Sequence, residues 1–367
     1  MVYSKEQILV ALGHVMDPDL KKDLVSLNMI SDINVNGKNI SFTVILTTPA
    51  CPLKESIKNA CIEAIHNYID KDTNVSVNMS SKVTSKRSEK PDEILKGVKN
   101  IIAVASGKGG VGKSTVAANL AVALAKLGSK VGLIDADIYG PSIPIMFNLE
   151  KITPEIKEIN GIPKMIPVVK NGIKILSIGF FVDPEQALIW RGPMASGALN
   201  QLFKDAEWGE LDYLIIDMPP GTGDIHLTLV QNVNVTGVVI VSTPQKVALA
   251  DARKSVSMFK QESINVPVFG LIENMSYFTP DELPENKYYI FGKDGCKILA
   301  EELNVPLLGQ IPIVQGIRES GDNGYPIASD ENFPIAKAFK ELAEKLAQQI
   351  AIRNASVEPT KKVEMKN

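Results

Sequence analysis

The sequence has no apolar run near the ~20 residues that a membrane-spanning helix needs, and its first residues lack the apolar segment of a secretory signal. Its 39 Lys and Arg against 42 Asp and Glu give a net charge of -3, and no stripe of basic residues indicates nucleic-acid binding. Only 3 cysteines occur in 367 residues, which argues against a disulfide framework. We therefore expect a cytoplasmic protein with neither nucleic acid nor membrane as a partner.

Histidine is equally scarce. His14, His66 and His226 are scattered without the spacing of a metal site. His226 follows an acidic, glycine-rich loop that it could sense, and the alternative is a role in helix packing. The composition, 45% hydrophobic and 22% charged, is that of an ordinary globular protein, and the length allows two domains.

One glycine-rich stretch organises the chain. Residues 106–115 read Ser-Gly-Lys-Gly-Gly-Val-Gly-Lys-Ser-Thr; they follow a β-branched run, 101–105, and precede a segment with helical apolar spacing, 116–127. Strand, loop and helix are the context in which backbone N–H groups bind phosphates. Lys113 would meet the β- and γ-phosphates of ATP, and Ser114 would hold Mg²⁺. The predicted nucleotide-binding residues here are Gly107, Lys108, Gly109, Gly110, Val111, Gly112, Lys113, Ser114 and Thr115.

Two aspartates follow further apolar runs. Asp137 comes just after the predicted strand 130–134, and Asp217 directly follows the predicted strand 213–216. Asp217 fits a Walker B position that acts on Mg²⁺ through water, while Asp137 could position the attacking water or complete the magnesium shell. Further strands alternate with helices, which predicts an α/β fold with a doubly wound, mostly parallel sheet.

A small α+β domain is predicted for residues 1–80. It would contain two helices and three strands, with a hairpin at Asn36-Gly37. Pro52 favours the start of a helix and so places Cys51 near its N-cap, where a thiolate is stabilised and could ligate iron or zinc, or react; the alternative is a small residue that closes a loop. Residues 81–96 read as a linker, 97–353 as the P-loop domain and 354–367 as a disordered tail.

The position of Lys108 indicates a particular group of P-loop proteins. A second lysine directly after the first glycine resembles the deviant P-loop of the MinD-like ATPases. The resemblance implies a homodimer that sandwiches two nucleotides, with Lys108 reaching the partner's nucleotide. It also implies that Asp137 positions the water, that Asn274 bonds the adenine and that Pro312 lines the base pocket. The implied catalytic residues are Lys108, Lys113, Asp137 and Asp217.

Further motifs resemble one branch of that group. They are Trp-Arg-Gly-Pro-Met at 190–194, Asp-Met-Pro-Pro-Gly-Thr-Gly-Asp at 217–224, Glu-Asn-Met-Ser at 273–276 and, in the small domain, Thr-Thr-Pro-Ala-Cys-Pro at 47–52. Together they resemble the Mrp-type iron-sulfur cluster carrier ATPases, with an N-terminal iron-sulfur assembly domain. The resemblance implies ATP hydrolysis coupled to transfer of a cluster, of the 4Fe-4S type, from a scaffold protein to acceptor apoproteins.

The sequence departs from that family at the expected cluster ligands. Residues 277–288 contain no cysteine where relatives often carry Cys-x-x-Cys. Cys51 and Cys296 are the candidate ligands, and carboxylates at 281, 282 and 285 are possible substitutes; packing is the alternative for Cys296, and Cys61 lies on an apolar helix face. The alternative function is a positioning ATPase of the MinD or partitioning kind, which acts on a membrane or DNA. The mixed charge on the helix predicted at 335–350 favours packing on the domain instead.

Overall fold

The computed structural model describes residues 3–87, 94–181, 192–280, 282, 283 and 285–359. The chain divides into two compact units. The first, here called the N-terminal unit, comprises residues 1–85 and 347–357; the second, the large unit, comprises residues 86–346 and 358–367. Each is described by itself.

The N-terminal unit is a three-stranded sheet covered by two helices. Its sheet order is β3-β4-β5, with β3 and β4 antiparallel and β4 and β5 parallel. Strand β4 alternates buried and half-buried residues, as expected for a sheet with one face on a core. The elements are α1 (Lys5–Leu12), β1 (Met16–Asp17), β2 (Lys22–Asp23), β3 (Ile30–Asn36), β4 (Asn39–Leu46), α2 (Lys54–Tyr68) and β5 (Asn74–Ser81). The predicted hairpin joins β3 to β4.

Local chemistry explains how the two helices of this unit begin. The Ser4 side chain accepts the N–H of Gln7, whose side chain accepts the Ser4 N–H in return, so α1 starts with a capping box. Helix α2 begins later than the sequence predicted, with Leu53 as its N-cap. Cys51 therefore lies two residues before the N-cap, and the predicted stabilisation of its thiolate by the helix N-terminus stays a prediction.

The N-terminal unit also includes the end of the last helix, α10 (Pro334–Ser356). Gln348 Nε2 donates to Asp19 Oδ1 at 2.6 Å, and Asn354 Nδ2 donates to the Thr84 carbonyl at 3.0 Å. The sequence assigned everything from 97 to 353 to one domain and predicted a tail from 354, but the helix runs to Ser356 and its final turns belong to the N-terminal unit. Residues 360–367 of the predicted tail lie outside the described residues.

The structure describes both ends of the predicted linker. Strand β5 extends to Ser81. In the large unit, the Arg87 guanidinium donates to the carbonyls of Ile94, Leu95 and Val98 at 3.2, 3.1 and 2.5 Å. Residues 88–93 lie outside the described part of the chain.

The large unit is built on an eight-stranded sheet of order β10-β11-β7-β12-β6-β13-β14-β15. Its elements are β6 (Val98–Ala105), α3 (Lys113–Lys126), β7 (Val131–Asp135), α4 (Ile143–Met146), β8 (Ile156–Ile159), β9 (Ile162–Met165), β10 (Val168–Lys170), β11 (Ile173–Ser177), α5 (Gly192–Lys204), β12 (Leu211–Asp217), α6 (Asp224–Asn232), β13 (Gly237–Ser242), α7 (Lys246–Lys260), β14 (Val268–Phe278), α8 (Gly295–Leu303), β15 (Leu307–Ile313), α9 (Gln315–Asp322) and the first part of α10.

The sheet confirms the predicted doubly wound α/β fold. Strands β11, β7, β12, β6, β13, β14 and β15 are parallel, and β10 adds an antiparallel edge. Strands β7 and β13 are buried at every residue, as expected for central parallel strands that helices cover on both faces. The edge strand β10 and the β8–β9 hairpin were not predicted. Among the described residues, no helix combines the length and the hydropathy needed to cross a bilayer.

Candidate functional site

The glycine-rich loop connects β6 to α3, and its glycines are required by close contacts. Gly110 and Gly112 both have φ of 78°, in the left-handed region that favours glycine. A Cβ on Gly112 would collide with the Asn274 side-chain amide, and one on Gly107 would collide with the backbone at Asp251. Because no side chain intrudes, the loop carries backbone N–H groups at the N-terminus of a 14-residue helix, which is a site suited to phosphate.

A buried charge cluster lies beside this loop. Lys113 Nζ is 2.6 Å from Asp217 Oδ1 and 3.7 Å from Asp137 Oδ2, and it donates to Ser114 Oγ at 3.1 Å. Lys113 is 6% exposed and Asp217 is 0% exposed. The start of α3 and the ends of β7 and β12 thus bring together the four side chains that the sequence singled out from three separate segments. Their roles toward a nucleotide stay predictions.

The oxygens of this cluster fit a magnesium ion. Asp217 Oδ2 and Asp137 Oδ1 are buried, and neither has a hydrogen-bond partner among the described residues. Buried polar atoms are normally paired, so two carboxylate oxygens without partners point to a missing cation or donor. Together with the Ser114 hydroxyl they supply the hard oxygen ligands that Mg²⁺ prefers.

Burial raises the pKa of the clustered carboxyl groups. For Asp137 and Asp217 desolvation is the largest cause of the raised pKa, and the positive charge of Lys113 opposes it. The pKa of Asp135 is also raised, by burial and by the nearby negative charge of Asp217. The cluster is therefore a place where three acidic groups are held out of water next to one cation.

Asp135 is a site residue that sequence reasoning missed. It is 0% exposed; its carboxylate accepts the Ser177 hydroxyl at 2.9 Å and the backbone N–H groups of Asp137 and Ile143 at 3.2 and 3.1 Å. These bonds fix the loop that carries Asp137. Asp135 ends the predicted strand, but the pairing of β7 with β11 that brings Ser177 to it left no signal in the sequence.

A cavity of about 510 Å³ adjoins the glycine-rich loop. Gly112, Thr115, Asn274 and Pro312 all line it. The Asn274 amide donates to the Val111 carbonyl at 2.8 Å, so this side chain holds the loop itself. The two residues predicted at the adenine pocket therefore lie in one cavity that begins at the phosphate loop, and the contact of Asn274 with a base stays a prediction.

Lys108 is exposed on the same loop. Unlike Lys113, it forms no ion pair within the described parts of the chain. Such a placement is compatible with a contact to a second molecule, which the sequence predicted.

The three cysteines occupy different environments. Cys61 and Cys296 are both 0% exposed, whereas Cys51 is half-buried. Burial raises the pKa of Cys61 to about 12, and burial together with the charge of Glu273 raises the pKa of Cys296. The interior position of Cys296, whose N–H donates to Glu273 Oε2 at 2.7 Å, favours the packing alternative over cluster ligation.

Cys51 lines a small pocket of about 10 Å³ in the N-terminal unit, which has room for about one water molecule. Asp17, Asp19, Thr47 and Gln348 are among its other lining residues. Of the proposed carboxylate substitutes, Glu282 and Glu285 are exposed, and Asp281 lies outside the described residues. Within those residues no group of three or more His, Cys, Asp and Glu is placed to hold a metal ion.

Comparison with known families assigns both parts of the chain. Residues 97–347 match the ParA family model described as NUBPL iron-transfer P-loop NTPase, and residues 5–77 match the model described as iron-sulfur cluster assembly protein. Arg191 and the start of its Trp-Arg-Gly-Pro-Met motif lie outside the described residues.

Named relatives resemble the chain over almost its full length. It is 47% identical over 350 residues to the iron-sulfur cluster carrier protein of Synechocystis sp., covering 95% of this chain and 98% of that protein. It is 44% identical over 355 residues to the protein of the same name from Deinococcus radiodurans, covering 96% and 98%. Among solved structures, a nucleotide-binding protein in complex with ADP from Archaeoglobus fulgidus is 39% identical, with a TM-score of 0.56, over 66% of this chain and 91% of that one.

Proposed function

The chain belongs to the family of NUBPL-type iron-transfer P-loop NTPases, here joined to an iron-sulfur cluster assembly domain, and we infer that it is an iron-sulfur cluster carrier that binds ATP. The observation that carries this conclusion is the match along nearly the whole chain to proteins named as carriers, in a protein whose Lys113, Asp137 and Asp217 form one buried cluster. The matched families and the named relatives support a carrier over a positioning ATPase.

We propose that the cluster around Lys113 hydrolyses ATP. Backbone N–H groups of the glycine-rich loop and the Lys113 ammonium would bind the β- and γ-phosphates. Ser114 and Asp217 would hold Mg²⁺, which when bound neutralises charge on the phosphate oxygens. Asp137 would orient the attacking water, and the bonds that Asp135 makes to the Asp137 and Ile143 N–H groups would keep that carboxylate in position. The base would occupy the cavity between Asn274 and Pro312.

We propose further that two copies of the chain close on two nucleotides. The exposure of Lys108 on the phosphate loop supports this, because a cation there is available to a neighbouring molecule. Hydrolysis would then change the loops after Asp137 and Asp217 and release the second copy of the chain. The state of the nucleotide would thus determine how long the cluster stays bound. We expect ATP turnover to be slow, since the role of hydrolysis here is to drive a conformational change.

The cargo would be a 4Fe-4S cluster held in part by Cys51. Of the three cysteines only Cys51 is accessible, so a homodimer offers two accessible thiols, fewer than the four that bind such a cluster in ferredoxins. The remaining ligands would come from carboxylates such as Glu282 and Glu285, or from the scaffold and the acceptor apoprotein. Incomplete coordination suits a protein that must give its cluster away.

Anaerobic reconstitution with iron and sulfide tests this function. Wild-type protein should acquire visible absorbance and pass iron to an apoferredoxin; Cys51→Ser should lose most of the absorbance, and Cys296→Ser should retain it. Cys61→Ser is the matched control, because Cys61 is buried in the core of the same unit as Cys51. If the wild type gains no cluster, the carrier function fails. If Cys51→Ser gains the cluster as the wild type does, the carrier function stands and the ligand assignment fails.

A further inference from the structure

A buried histidine lies next to the loop that follows Asp217. Helix α6 begins directly after residues 218–223, here called the Walker B loop, and His226 is in its first turn. The side chain is 2% exposed, and neither ring nitrogen has a hydrogen-bond partner among the described residues. The ring packs edge-on against Phe259 of α7, with 6.4 Å between centroids.

Packing alone does not account for this residue. A leucine would fill a similar volume without leaving two nitrogens unpaired, and buried polar groups in folded proteins are nearly always paired. Burial lowers the pKa of His226 to about 4, so at neutral pH the ring is uncharged and has one N–H donor. The ring N–H of His226 is therefore a buried donor, and burying it is favourable only if it has a hydrogen-bond acceptor.

The polar groups beside the ring belong to the Walker B loop. The backbone carbonyls of Gly223 and Pro219 are the groups that favour the protonated imidazole, while the charge of Lys113 disfavours it. His226 is therefore close enough for the charge of Lys113 to act on its ring, and the Pro219 and Gly223 carbonyls are the polar groups of the Walker B loop nearest to that ring.

The Walker B loop is also hydrogen-bonded to the end of β6 and to the first residue of the glycine-rich loop. The Met218 N–H donates to the Val104 carbonyl at 3.0 Å, and the Gly221 N–H donates to the Ser106 carbonyl at 2.8 Å. Gly221 has φ of 95°, which a side chain would disfavour. The Gly223 carbonyl already accepts the backbone N–H of His226 at 3.0 Å. The Pro219 carbonyl and the second lone pair of the Gly223 carbonyl are therefore the acceptors of this loop that remain for the His226 ring.

We propose that His226 is a positioning residue for ATP hydrolysis: its ring N–H donates to the Pro219 or Gly223 carbonyl when the Walker B loop takes its hydrolysing conformation, and so keeps Asp217 in place. This rests on the ATPase activity proposed above. The residue acts through the loop and does not exchange a proton with the substrate. His226 should therefore affect the rate of ATP turnover and not the affinity for nucleotide.

Kinetics of three variants test the inference. His226→Leu keeps the volume and should lower kcat for ATP by about tenfold or more, since small misplacement of catalytic groups is costly, with KM changed less than about twofold. His226→Gln keeps a donor and should recover most of the loss. His14→Leu, on an exposed histidine of the N-terminal unit, is the control and should hydrolyse ATP as the wild type does.

Hydrogen exchange gives a second measurement that does not depend on turnover. With a saturating non-hydrolysable ATP analogue and Mg²⁺, the amides of Met218, Gly221, Thr222 and Gly223 should exchange severalfold faster in His226→Leu than in wild type or His226→Gln, while the α3 amides stay equally protected. Wild-type kcat in the leucine variant, or a glutamine variant as slow and as unprotected as the leucine one, would overturn the proposal. A wild type that binds ADP without hydrolysing ATP would instead refute the proposed ATPase activity, and the exchange experiment would still decide the role of His226.

Discussion

The Lys113 ammonium lies 2.6 Å from the Asp217 carboxylate, and both side chains are buried. The pair joins the first residue of α3 to the last residue of β12, segments that are far apart in the sequence. In the proposed site, phosphate oxygens would compete for the lysine and magnesium would compete for the aspartate, so a bound nucleotide would replace this ion pair. The contact therefore couples the stability of the large unit to the chemistry of its site.

Removing the cation alone should be costly for stability. Lys113→Met leaves Asp217 buried without its partner, and we expect a loss of about 3–5 kcal/mol in the free energy of unfolding, as for other broken buried pairs. The double variant with Asp217→Asn should recover most of this loss, because neither charge remains. Both variants should lack ATP turnover. Calorimetry of the three proteins measures the effect, and equal instability of the single and double variants would show that the ion pair is not responsible.

Lys108 should matter for the assembled protein and not for the single chain. Lys108→Ala removes an exposed charge with no ion pair in the described residues, so its melting temperature should stay within about a degree of wild type. If it contacts a second nucleotide, turnover should fall by at least about a hundredfold, as for other cations supplied in trans.

Sedimentation with Mg-ATP separates the two parts of that prediction. Wild type should sediment as a dimer and Lys108→Ala as a monomer or a weaker dimer, while ADP binds both equally. Lys5→Ala, an exposed lysine of the N-terminal unit, is the control. Normal turnover in Lys108→Ala would remove the basis for a nucleotide sandwich.

The parts of this site that could be predicted are those that short sequence motifs indicate. The phosphate loop, Asp137 and Asp217 could be predicted because each follows a short apolar run, and parallel strands bring their carboxyl ends to one edge. The bonds of Asp135 to Ser177 depend on β7 pairing with β11, which sequence spacing does not reveal. The short, largely exposed β8–β9 hairpin has too little apolar periodicity to be recognised.

The N-terminal unit also has one feature that the sequence predicted and one that it did not. Its hairpin was predicted from Asn36-Gly37; the strands do form a hairpin, with Asn36 paired to Asn39 and the turn at Gly37 and Lys38. Its use of residues 347–357 was not, because the bond from Gln348 to Asp19 joins positions 329 residues apart and the helix itself continues from the large unit. Local propensity predicts that a helix exists, but not to which unit its last turns belong.

The cysteines should differ sharply in reactivity. Iodoacetamide at about pH 8 should modify Cys51 in the native protein within minutes while Cys61 and Cys296 stay protected, because only thiolates react and burial raises the pKa of both protected thiols. In denaturant all three should react. Mass spectrometry of tryptic peptides measures each site, and rapid native labelling of Cys296 would restore it as a candidate cluster ligand.

The buried imidazole also makes stability depend on pH. His226 has a pKa of about 4 in the folded protein against 6.5 for the free side chain. Between these values the unfolded chain binds a proton that the folded chain does not, so the free energy of unfolding falls as the pH decreases through this range. From pH 7 to pH 5 this one group should remove about 2 kcal/mol. His226→Leu lacks the titration, so its stability should fall less over the same range, by that amount. Denaturant unfolding of both proteins at the two pH values measures the difference. Parallel losses in the two proteins would mean that the ring is solvated or paired in the folded state, and the donor that we assign to the Walker B loop would then already be in use elsewhere.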